Sequence, residues 1–191
     1  MSPPPSEHRA GLEALGIQGP ALSRLAAYLD TLAAWSPRVN LTGARSAAER
    51  VRLLVGDVLA AGPLPLPGRL IDVGSGNGSP GLVLALLRDD LEVTLLEPRA
   101  RRWAFLREAA RAAGRSGVRV LRLRHDAYPG PPAATVTLRA LSLPLAELLP
   151  LLEPQGRLLV FGGRPQDAPG LARTALGSGL PGELTVFRRA P

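Results

Sequence analysis

One stretch of this 191-residue chain constrains its fold more than any other: LIDVGSGNGSPGL, residues 70–82. An apolar run containing one acid is followed by four glycines within eight positions, and a serine–proline pair precedes a second apolar run. The pattern predicts a buried strand over 69–73 and a helix over 80–88, because Ser79 suits a helix cap and Pro80 suits the first helical position. Parallel α/β sheets bind nucleotide cofactors at such glycine loops between a strand and a helix.

Strands and helices alternate along the rest of the chain beyond this loop. The spacing of apolar residues predicts further strands and helices, with strands over 92–97, 118–124, 134–140, 156–162 and 183–190 and helices over 99–114 and 143–153. This alternation indicates an α/β fold with a parallel, doubly wound sheet.

The beginning of the chain has helical periodicity and no pattern that indicates a strand. One helix is predicted over 20–36, and a second begins at Ser46, where Glu49 completes a capping box. We expect residues 1–6, MSPPPS, to be disordered. The predicted organisation is a helical segment followed by an α/β core, over 1–66 and 67–191.

Composition excludes several classes of protein. The chain has no cysteine, so it has no disulfide, no thiolate metal site and no cysteine nucleophile, and we assign no metal ligands. No apolar run approaches the ~20 residues of a membrane span. The first residues lack the charged and apolar regions of a secretory signal. We therefore expect a cytoplasmic protein that does not enter a membrane.

Positive charge is concentrated in one part of the sequence. The formal net charge is +7, and all 23 basic residues are arginine. Residues 99–124 contain nine arginines and one acid, Glu108, which gives this window a net charge of +8. Such a cluster suits contacts with phosphate groups. The alternative is a solvated helix face in a chain whose composition reflects a GC-rich genome.

The glycine loop does not match a dinucleotide-binding loop. The dinucleotide pattern is G-x-G-x-x-G, and its third glycine would fall at Ser79. The pattern present is G-x-G-x-G at Gly74, Gly76 and Gly78, preceded by Asp72. It resembles the cofactor loop of S-adenosylmethionine-dependent methyltransferases, whose ligand has no pyrophosphate.

Acidic residues lie at or just after the ends of three successive predicted strands: Asp72, Glu97 and Asp126. A carboxylate at the end of the second strand can accept hydrogen bonds from both ribose hydroxyls, which fits NAD as well as S-adenosylmethionine. Three acids favour a cationic nucleoside over an anionic dinucleotide. Alternatively, one or two of them cap helices.

The methyl acceptor is narrowed by the chemistry that each acceptor needs. Methylation at pyrimidine C5 uses a cysteine nucleophile, which this chain lacks. Methylation of an exocyclic amine usually uses an acid or amide with prolines and an aromatic residue after the fourth strand, where this chain has RALSLP. Guanine N7 already carries a lone pair and needs only alignment and shielding. These exclusions are compatible with N7 without proving it.

Four motifs carry a resemblance to a known family: NLTGARS (40–46), LIDVGSGNGSPGL (70–82), VTLLEPRARRWAFLREAAR (93–111) and VTLRAL (136–141). Together they resemble the ribosomal RNA small subunit methyltransferase G family, also called GidB. The resemblance implies a Rossmann-like class I S-adenosylmethionine-dependent methyltransferase sheet with an N-terminal helical extension. It also implies methyl transfer to guanine N7 of small-subunit (16S) ribosomal RNA, free or in an assembling 30S subunit. Separately, we expect a monomer.

The resemblance assigns roles to individual residues. The predicted cofactor-binding residues are Asp72, Gly74, Gly76, Ser79, Glu97, His125, Asp126 and Arg139. Glu97 matches the ribose-binding acid, and Arg139 closes the site as the residue that positions substrate or cofactor without acting as a base. RNA contacts are expected from the N-terminal segment and from Arg99, Arg101 and Arg102. The chain departs from the family at Leu54, Ser79 and Gly162.

Some roles have alternatives in the sequence. Arg139 either binds the guanine carbonyl or a phosphate through its forked donors, or pairs with one of the strand-end acids. His125 is expected to be a partly exposed loop residue that supplies backbone contacts. Four aromatic residues divide into predicted core positions, Trp35 and Phe105, and residues that can stack on a base, Phe161 and Tyr128.

Two other functional classes remain open at this point. The first is a divergent family member that binds RNA or cofactor without methylating. The second is an NAD-dependent oxidoreductase, which the ribose-binding acid alone does not exclude.

Overall fold

The computed structural model describes residues 6–163, 165–174 and 184–191. In this part of the chain, helices alone precede the first strand, and they are α1 (Arg9–Ala14), α2 (Gly19–Trp35), α3 (Ala47–Val51) and α4 (Asp57–Ala61). A π turn over Arg52–Gly56 joins α3 to α4. The Ser46 side chain accepts the Glu49 N–H at 3.2 Å, which confirms the predicted cap, whereas α1 is absent from the predicted helices.

The described strands form one seven-stranded sheet. They are β1 (Gly68–Val73), β2 (Leu91–Leu96), β3 (Arg119–Leu121), β4 (Ala133–Arg139), β5 (Leu152–Phe161), β6 (Leu171–Thr174) and β7 (Leu184–Arg189). Their order is β3-β2-β1-β4-β5-β7-β6. The neighbouring pairs from β3 to β5 are parallel, as the alternation of strands and helices predicts.

The far edge of the sheet departs from the all-parallel prediction. β7 pairs antiparallel with both β5 and β6, and β6 is absent from the predicted strands. Only residues 175–183 connect β6 to β7, which is shorter than the dozen or so residues that a parallel crossover needs. Adjacent strands with so short a connection pair antiparallel.

Helices cover the two faces of the sheet unequally. α5 (Gly81–Leu87) and α6 (Ala100–Ala112) pack with the N-terminal helices on one side. The other side is covered by 3₁₀ turns, including one over Leu145–Leu151. The prediction of a regular helix over 143–153 is wrong, because Pro150 lies inside this turn and lacks the N–H that an α-helix needs. No helix within the described residues is long and apolar enough to cross a membrane.

The N-terminal helices share a hydrophobic core with the rest of the chain. Leu25, Leu29 and Leu32 recur on one face of α2 and are fully buried. They belong to the same cluster as Phe105, whose ring meets that of Trp35 edge-on at 6.0 Å. Phe105 is a core residue, as predicted, whereas Trp35 is partly buried and packs against the core. The predicted segments 1–66 and 67–191 are thus joined by a continuous core.

The start of the described chain is tied to α2. Residues 1–5 of the segment expected to be disordered lie outside the described residues. Ser6 Oγ donates to Asp30 Oδ1 at 2.8 Å, and the buried His8 Nδ1 lies 2.7 Å from the same oxygen. Arg50 Nε donates to His8 Nε2 at 2.9 Å, so these contacts join α1 to α2 and α3.

Candidate active site

A cavity of about 730 Å³ opens at the carboxyl ends of the parallel strands. Its walls come from the loops that follow β1, β2, β3 and β4, together with Leu41 from the N-terminal segment. This is the position at which open α/β sheets bind their ligands, and the volume suits a small-molecule cofactor.

The glycine loop after β1 forms one wall and depends on glycine at three positions. Gly74, Gly76 and Gly78 have φ angles of 69°, 51° and 92°, which side-chain-bearing residues rarely adopt. A Cβ on Gly78 would also lie 3.2 Å from both the Tyr28 ring and Leu82. The backbone can therefore approach a ligand closely along Gly74 and Gly76, both of which line the cavity.

Glu97 follows β2 and forms the floor of the cavity beside this loop. Its side chain is almost fully buried, and its Oε2 accepts the Gly76 N–H at 3.0 Å. Its Oε1 accepts the Arg99 N–H at 2.8 Å. Because each carboxylate oxygen has two lone pairs, both can accept a further hydrogen bond from a ligand. The predicted ribose-binding acid is thus held rigidly at the cavity wall.

Asp72 lies behind the loop and does not line the cavity. It is 1% exposed, and its Oδ1 accepts a 2.5 Å hydrogen bond from Thr137 Oγ1. Burial raises the pKa of Asp72 to about 6, since the ionised form loses its hydration. Its Oδ2 has no hydrogen-bond partner among the described residues. The structure therefore places Asp72 as a support of the loop, in contrast to the predicted direct contact.

The N-terminal segment holds the glycine loop from outside. Tyr28 Oη donates to the Asn77 carbonyl at 2.8 Å, and Asn77 Nδ2 donates to the Leu41 carbonyl at 3.1 Å. Ser79 Oγ donates to the Leu54 carbonyl at 2.7 Å. The loop conformation thus depends on residues that precede the sheet. Neither Tyr28 nor Asn77 is among the predicted site residues.

Arg139 ends β4 and lines the same cavity as Glu97. Its Nη1 donates to Ser79 Oγ at 2.7 Å, and its Nη2 donates to Asp57 Oδ2 at 2.8 Å. Its guanidinium lies 5.4 Å from the centre of the buried Phe161 ring. The ion pair with a strand-end acid, one of the two sequence-based alternatives, is wrong, because the partner is Asp57 on α4.

His125 and Asp126 follow β3 and have opposite environments. His125 is 8% exposed, and its Nε2 lies 3.0 Å from Glu147 Oε2, so the expectation of partial exposure is wrong. His125 lines the cavity. Asp126 has a side chain 59% exposed, pairs with Arg124 at 3.4 Å and does not line the cavity. Of these two predicted cofactor-binding residues, His125 therefore lies at the cavity and Asp126 does not.

The arginine-rich window does not form one patch. Arg99 and Arg102 line the cavity, and Arg102 Nη2 donates to the Asn40 carbonyl at 3.0 Å. Arg101 is exposed on the first turn of α6, beside them. Other arginines of the window pair with acids: Arg111 with Glu108, Arg115 with Asp89 and Arg124 with Asp126.

Neither aromatic residue predicted to stack on a base is placed to do so. Phe161 is 2% exposed and lies in the core beneath Arg139. Tyr128 lines a second cavity, with Leu70, Leu91 and Val118 near the amino ends of β1, β2 and β3. Both expectations are wrong: Phe161 is buried in the core, and Tyr128 lies at the end of the sheet opposite the candidate site.

Residues that sequence reasoning missed surround the loop. Asp57 is not among the predicted site residues, and its contact with Arg139 spans 82 positions. Thr137 lies two residues before Arg139 in β4, and no sequence motif marks it as the hydrogen-bond partner of Asp72. Leu141 is 41% exposed and would lie 3.0 Å from a Cβ on Gly74.

The residues present fit S-adenosylmethionine. The cavity offers a glycine cradle that a Cβ would narrow, and a buried carboxylate with lone pairs free for ribose hydroxyls. Sheet order, loop and acid together define a Rossmann-like class I S-adenosylmethionine-dependent methyltransferase. Solved structures of the same fold include TrmN from Thermus thermophilus (TM-score 0.56, 22% identity, 76% of this chain and 54% of that chain). MtNAS in complex with MTA and tNA matches with a TM-score of 0.61 at 15% identity, over 88% of this chain and 70% of that chain.

Comparison with protein families identifies the particular family. The family described as rRNA small subunit methyltransferase G (GidB) matches residues 21–171. A protein named ribosomal RNA small subunit methyltransferase G from Halorhodospira halophila is 42% identical over 152 residues, which are 77% of this chain and 72% of the relative. The Neisseria gonorrhoeae protein of the same name is 37% identical over 81% of this chain and 74% of its own length. The chain belongs to this family and is an S-adenosylmethionine-dependent methyltransferase.

Proposed function

We propose that this protein transfers a methyl group from S-adenosylmethionine to N7 of a guanine in small-subunit (16S) ribosomal RNA. One observation carries the proposal: the family match over residues 21–171 includes every residue that lines the cavity, from Leu41 to Glu147. The matched relatives are named for small-subunit ribosomal RNA. The cavity therefore lies within the length of chain that this protein shares with relatives named for that RNA.

The polar groups of the cavity suit an acceptor that needs no general base. Among the described lining residues, Glu97 and Glu147 are the carboxylates, and each already has partners, the first two backbone N–H groups and the second His125. S-adenosylmethionine supplies an electrophilic methyl group. The chain aligns the acceptor, and guanine N7 provides its own electron pair in the base plane. The O6 acceptor beside N7 suits a donor such as Arg139.

The arginines at the mouth of the cavity would hold the RNA backbone. Arg99 and Arg102 line the cavity, and Arg101 is exposed on the same helical turn. Arginine binds phosphate oxygens through paired donors, and several such contacts give affinity without reading sequence. In this proposal these three residues bind phosphates next to the methylated guanine.

The competing functions make different predictions. Membership of the family leaves no support for an NAD-dependent oxidoreductase, which would bind NADH in preference to S-adenosylhomocysteine. A non-catalytic relative would bind S-adenosylhomocysteine and RNA but would transfer no methyl group. Calorimetric titration with both ligands, followed by a transfer assay, separates these cases.

The experiment that tests the proposal measures methyl transfer to ribosomal RNA that lacks the modification. Purified protein is incubated with labelled S-adenosylmethionine and either free 16S RNA or assembled 30S subunits. Nuclease digestion and mass spectrometry should then detect 7-methylguanosine in one substrate. The matched control is a 23S RNA of the same preparation. Methyl transfer to a different atom, or to neither small-subunit substrate, contradicts the proposal.

Cellular location and assembly belong to the same proposal. A ribosomal substrate places the reaction in the cytoplasm, and we propose that the protein acts as a monomer. Sedimentation of the protein at micromolar concentration tests this point. A dimer whose partner contributes to RNA methylation would contradict it.

A further inference from the structure

Arg139 faces the cavity from β4, but much of its support comes from the N-terminal segment. Its Nη1 donates to the Leu53 carbonyl at 3.1 Å and to Ser79 Oγ at 2.7 Å. Its Nη2 donates to Asp57 Oδ2 at 2.8 Å. The side chain is 20% exposed, so it is neither buried in the core nor free in solvent.

The hydrogen bonds of Arg139 leave part of the guanidinium available. Arginine has five N–H donors in one plane, of which three are used by these contacts. Within residues 6–163, 165–174 and 184–191, the N–H of Nε and one N–H of Nη2 have no acceptor. The two available donors share a plane whose orientation is set by the three occupied donors.

Asp57 is the charged member among these contacts. Leu53 contributes a carbonyl and Ser79 a hydroxyl, whereas Asp57 contributes a carboxylate that neutralises the guanidinium. Glu97 and Glu147 line the same cavity and offer two further carboxylates. Opposite charges in a partly buried site attract strongly over several ångströms. Without Asp57, the guanidinium would therefore be attracted to Glu97 and Glu147, whose carboxylates already form other hydrogen bonds.

Asp57 is placed by an irregular helix. It is the first residue of α4, directly after the π turn over Arg52–Gly56. The carbonyls of Leu53 and Leu54 within this turn accept hydrogen bonds from Arg139 and Ser79. π turns in helices occur frequently at functional sites. One helical turn therefore holds both the glycine loop and Arg139.

We propose that Asp57 is a positioning residue for methyl transfer. Its carboxylate holds the Arg139 guanidinium so that the two remaining donors point to O6 of the acceptor guanine instead of pairing with Glu97 or Glu147. This inference rests on the proposed function, because it requires a guanine in the cavity. It assigns a catalytic contribution to the N-terminal segment besides the RNA contacts expected there.

The first test compares variants of Asp57 by steady-state methylation. Asp57→Ala should lower kcat by roughly 10-fold to 100-fold, a range typical of misplaced reacting groups. The KM for RNA and the affinity for S-adenosylhomocysteine should stay close to those of the wild type. Asp57→Glu, which keeps the charge, should recover part of the loss. Asp90→Ala, which removes the partner of Arg88 outside the cavity, is the matched control and should leave kcat unchanged.

A double-mutant cycle tests whether Asp57 acts through Arg139. If it does, Asp57→Ala should add little to the loss caused by Arg139→Met, because the cationic group that Asp57 positions is already absent. Independent roles would multiply the two losses and would overturn the proposal. A loss confined to RNA affinity would also overturn it, since that result indicates a phosphate contact.

NMR of the arginine guanidinium groups gives a readout that does not depend on activity. The Arg139 signals, assigned by their loss in Arg139→Lys, should show restricted rotation in the wild type and averaging in Asp57→Ala. Averaged signals in the wild type would overturn the proposal. If the wild-type protein methylates no small-subunit RNA while the Arg139 signals are restricted, the proposed function has failed and the ion pair itself is intact.

Discussion

The cofactor side and the rim of the cavity are built differently. On the cofactor side, Glu97 is buried, and the glycine loop is tied to neighbouring segments by hydrogen bonds between backbone and side-chain groups. At the rim, Arg99 and Arg101 are exposed, and neither has an ion-pair partner within the described residues. The first region is fixed before any ligand binds, whereas the second keeps long charged side chains in solvent.

This difference matches two kinds of recognition. A small cofactor is recognised by groups already in place, so binding requires little reorganisation. An RNA backbone is recognised by charge, and flexible arginines can meet phosphates in more than one arrangement. Substitutions on the cofactor side should therefore have large effects that salt does not change, and substitutions at the rim should have small effects that depend on salt.

The largest effect is expected at Glu97. Glu97→Ala removes the acceptor of two backbone N–H groups and the carboxylate available to the ribose, so affinity for S-adenosylhomocysteine should fall by about 100-fold or more. Calorimetric titration measures this. Glu92→Ala is the control, because Glu92 is an exposed acid on β2, the strand that Glu97 follows. An unchanged affinity in Glu97→Ala would show that the cofactor is held elsewhere.

A second effect concerns stability and pH. The pKa of Asp72 is about 6 in the folded protein against 3.8 unfolded, so the folded state holds its proton to higher pH. The contribution of the protonated Asp72 to the free energy of unfolding is fully present below pH 3.8 and is lost as pH rises through 6. At neutral pH the folded state is therefore less stable by on the order of 3 kcal/mol than with a protonated Asp72.

The isosteric variant Asp72→Asn should not show this loss of stability with rising pH, because asparagine does not ionise. Urea unfolding at pH 4, 5, 6 and 7, each ~1 unit apart, should show the wild type losing stability relative to Asp72→Asn across this range. Asparagine can still accept the hydrogen bond from Thr137 Oγ1. Parallel pH profiles for the two proteins would contradict the burial of an ionisable Asp72.

A third effect tests how tightly the loop is packed. A Cβ on Gly81 would overlap the side chain of Asp72, so Gly81→Ala should lower the free energy of unfolding by about 1–3 kcal/mol. Denaturant unfolding measures this. Gly117→Ala is the control, since a Cβ added at Gly117 would have no atom within 4 Å. Equal free energies of unfolding for the two variants would mean that Asp72 and the glycine loop can shift to accommodate the added methyl group.

The sequence predicts the cofactor side better than the rim. Gly74, Gly76 and Glu97 are predictable because a strand, a loop and a helix are adjacent in sequence, and the chemistry of the loop is local. β1, β2 and α6 are predicted within a few residues for the same reason. Local patterns are sufficient where the structure depends on neighbours in the chain.

Contacts between distant segments are not predictable in this way. The contact of Arg139 with Asp57 and that of Ser79 with Leu54 join separate elements, and no spacing rule links them. The short β6 escapes prediction because four residues at a sheet edge carry little periodicity. Tyr128 shows the same limit, since the end of the sheet that its ring faces is decided by the turn after β3.

The smallest effect is expected at the rim. Arg101→Gln should weaken RNA binding by only a few-fold and reduce the salt dependence of binding by about one phosphate contact. Arg119→Gln is the control: it lies in the same arginine-rich window and is exposed, but it begins β3, at the opposite end of the sheet. Anisotropy titrations of a 16S fragment at several salt concentrations compare the two. If both variants weaken binding equally, the arginine-rich window acts through its total charge. RNA contact would then not be concentrated at the rim of the cavity, as the comparison of the two regions assumes.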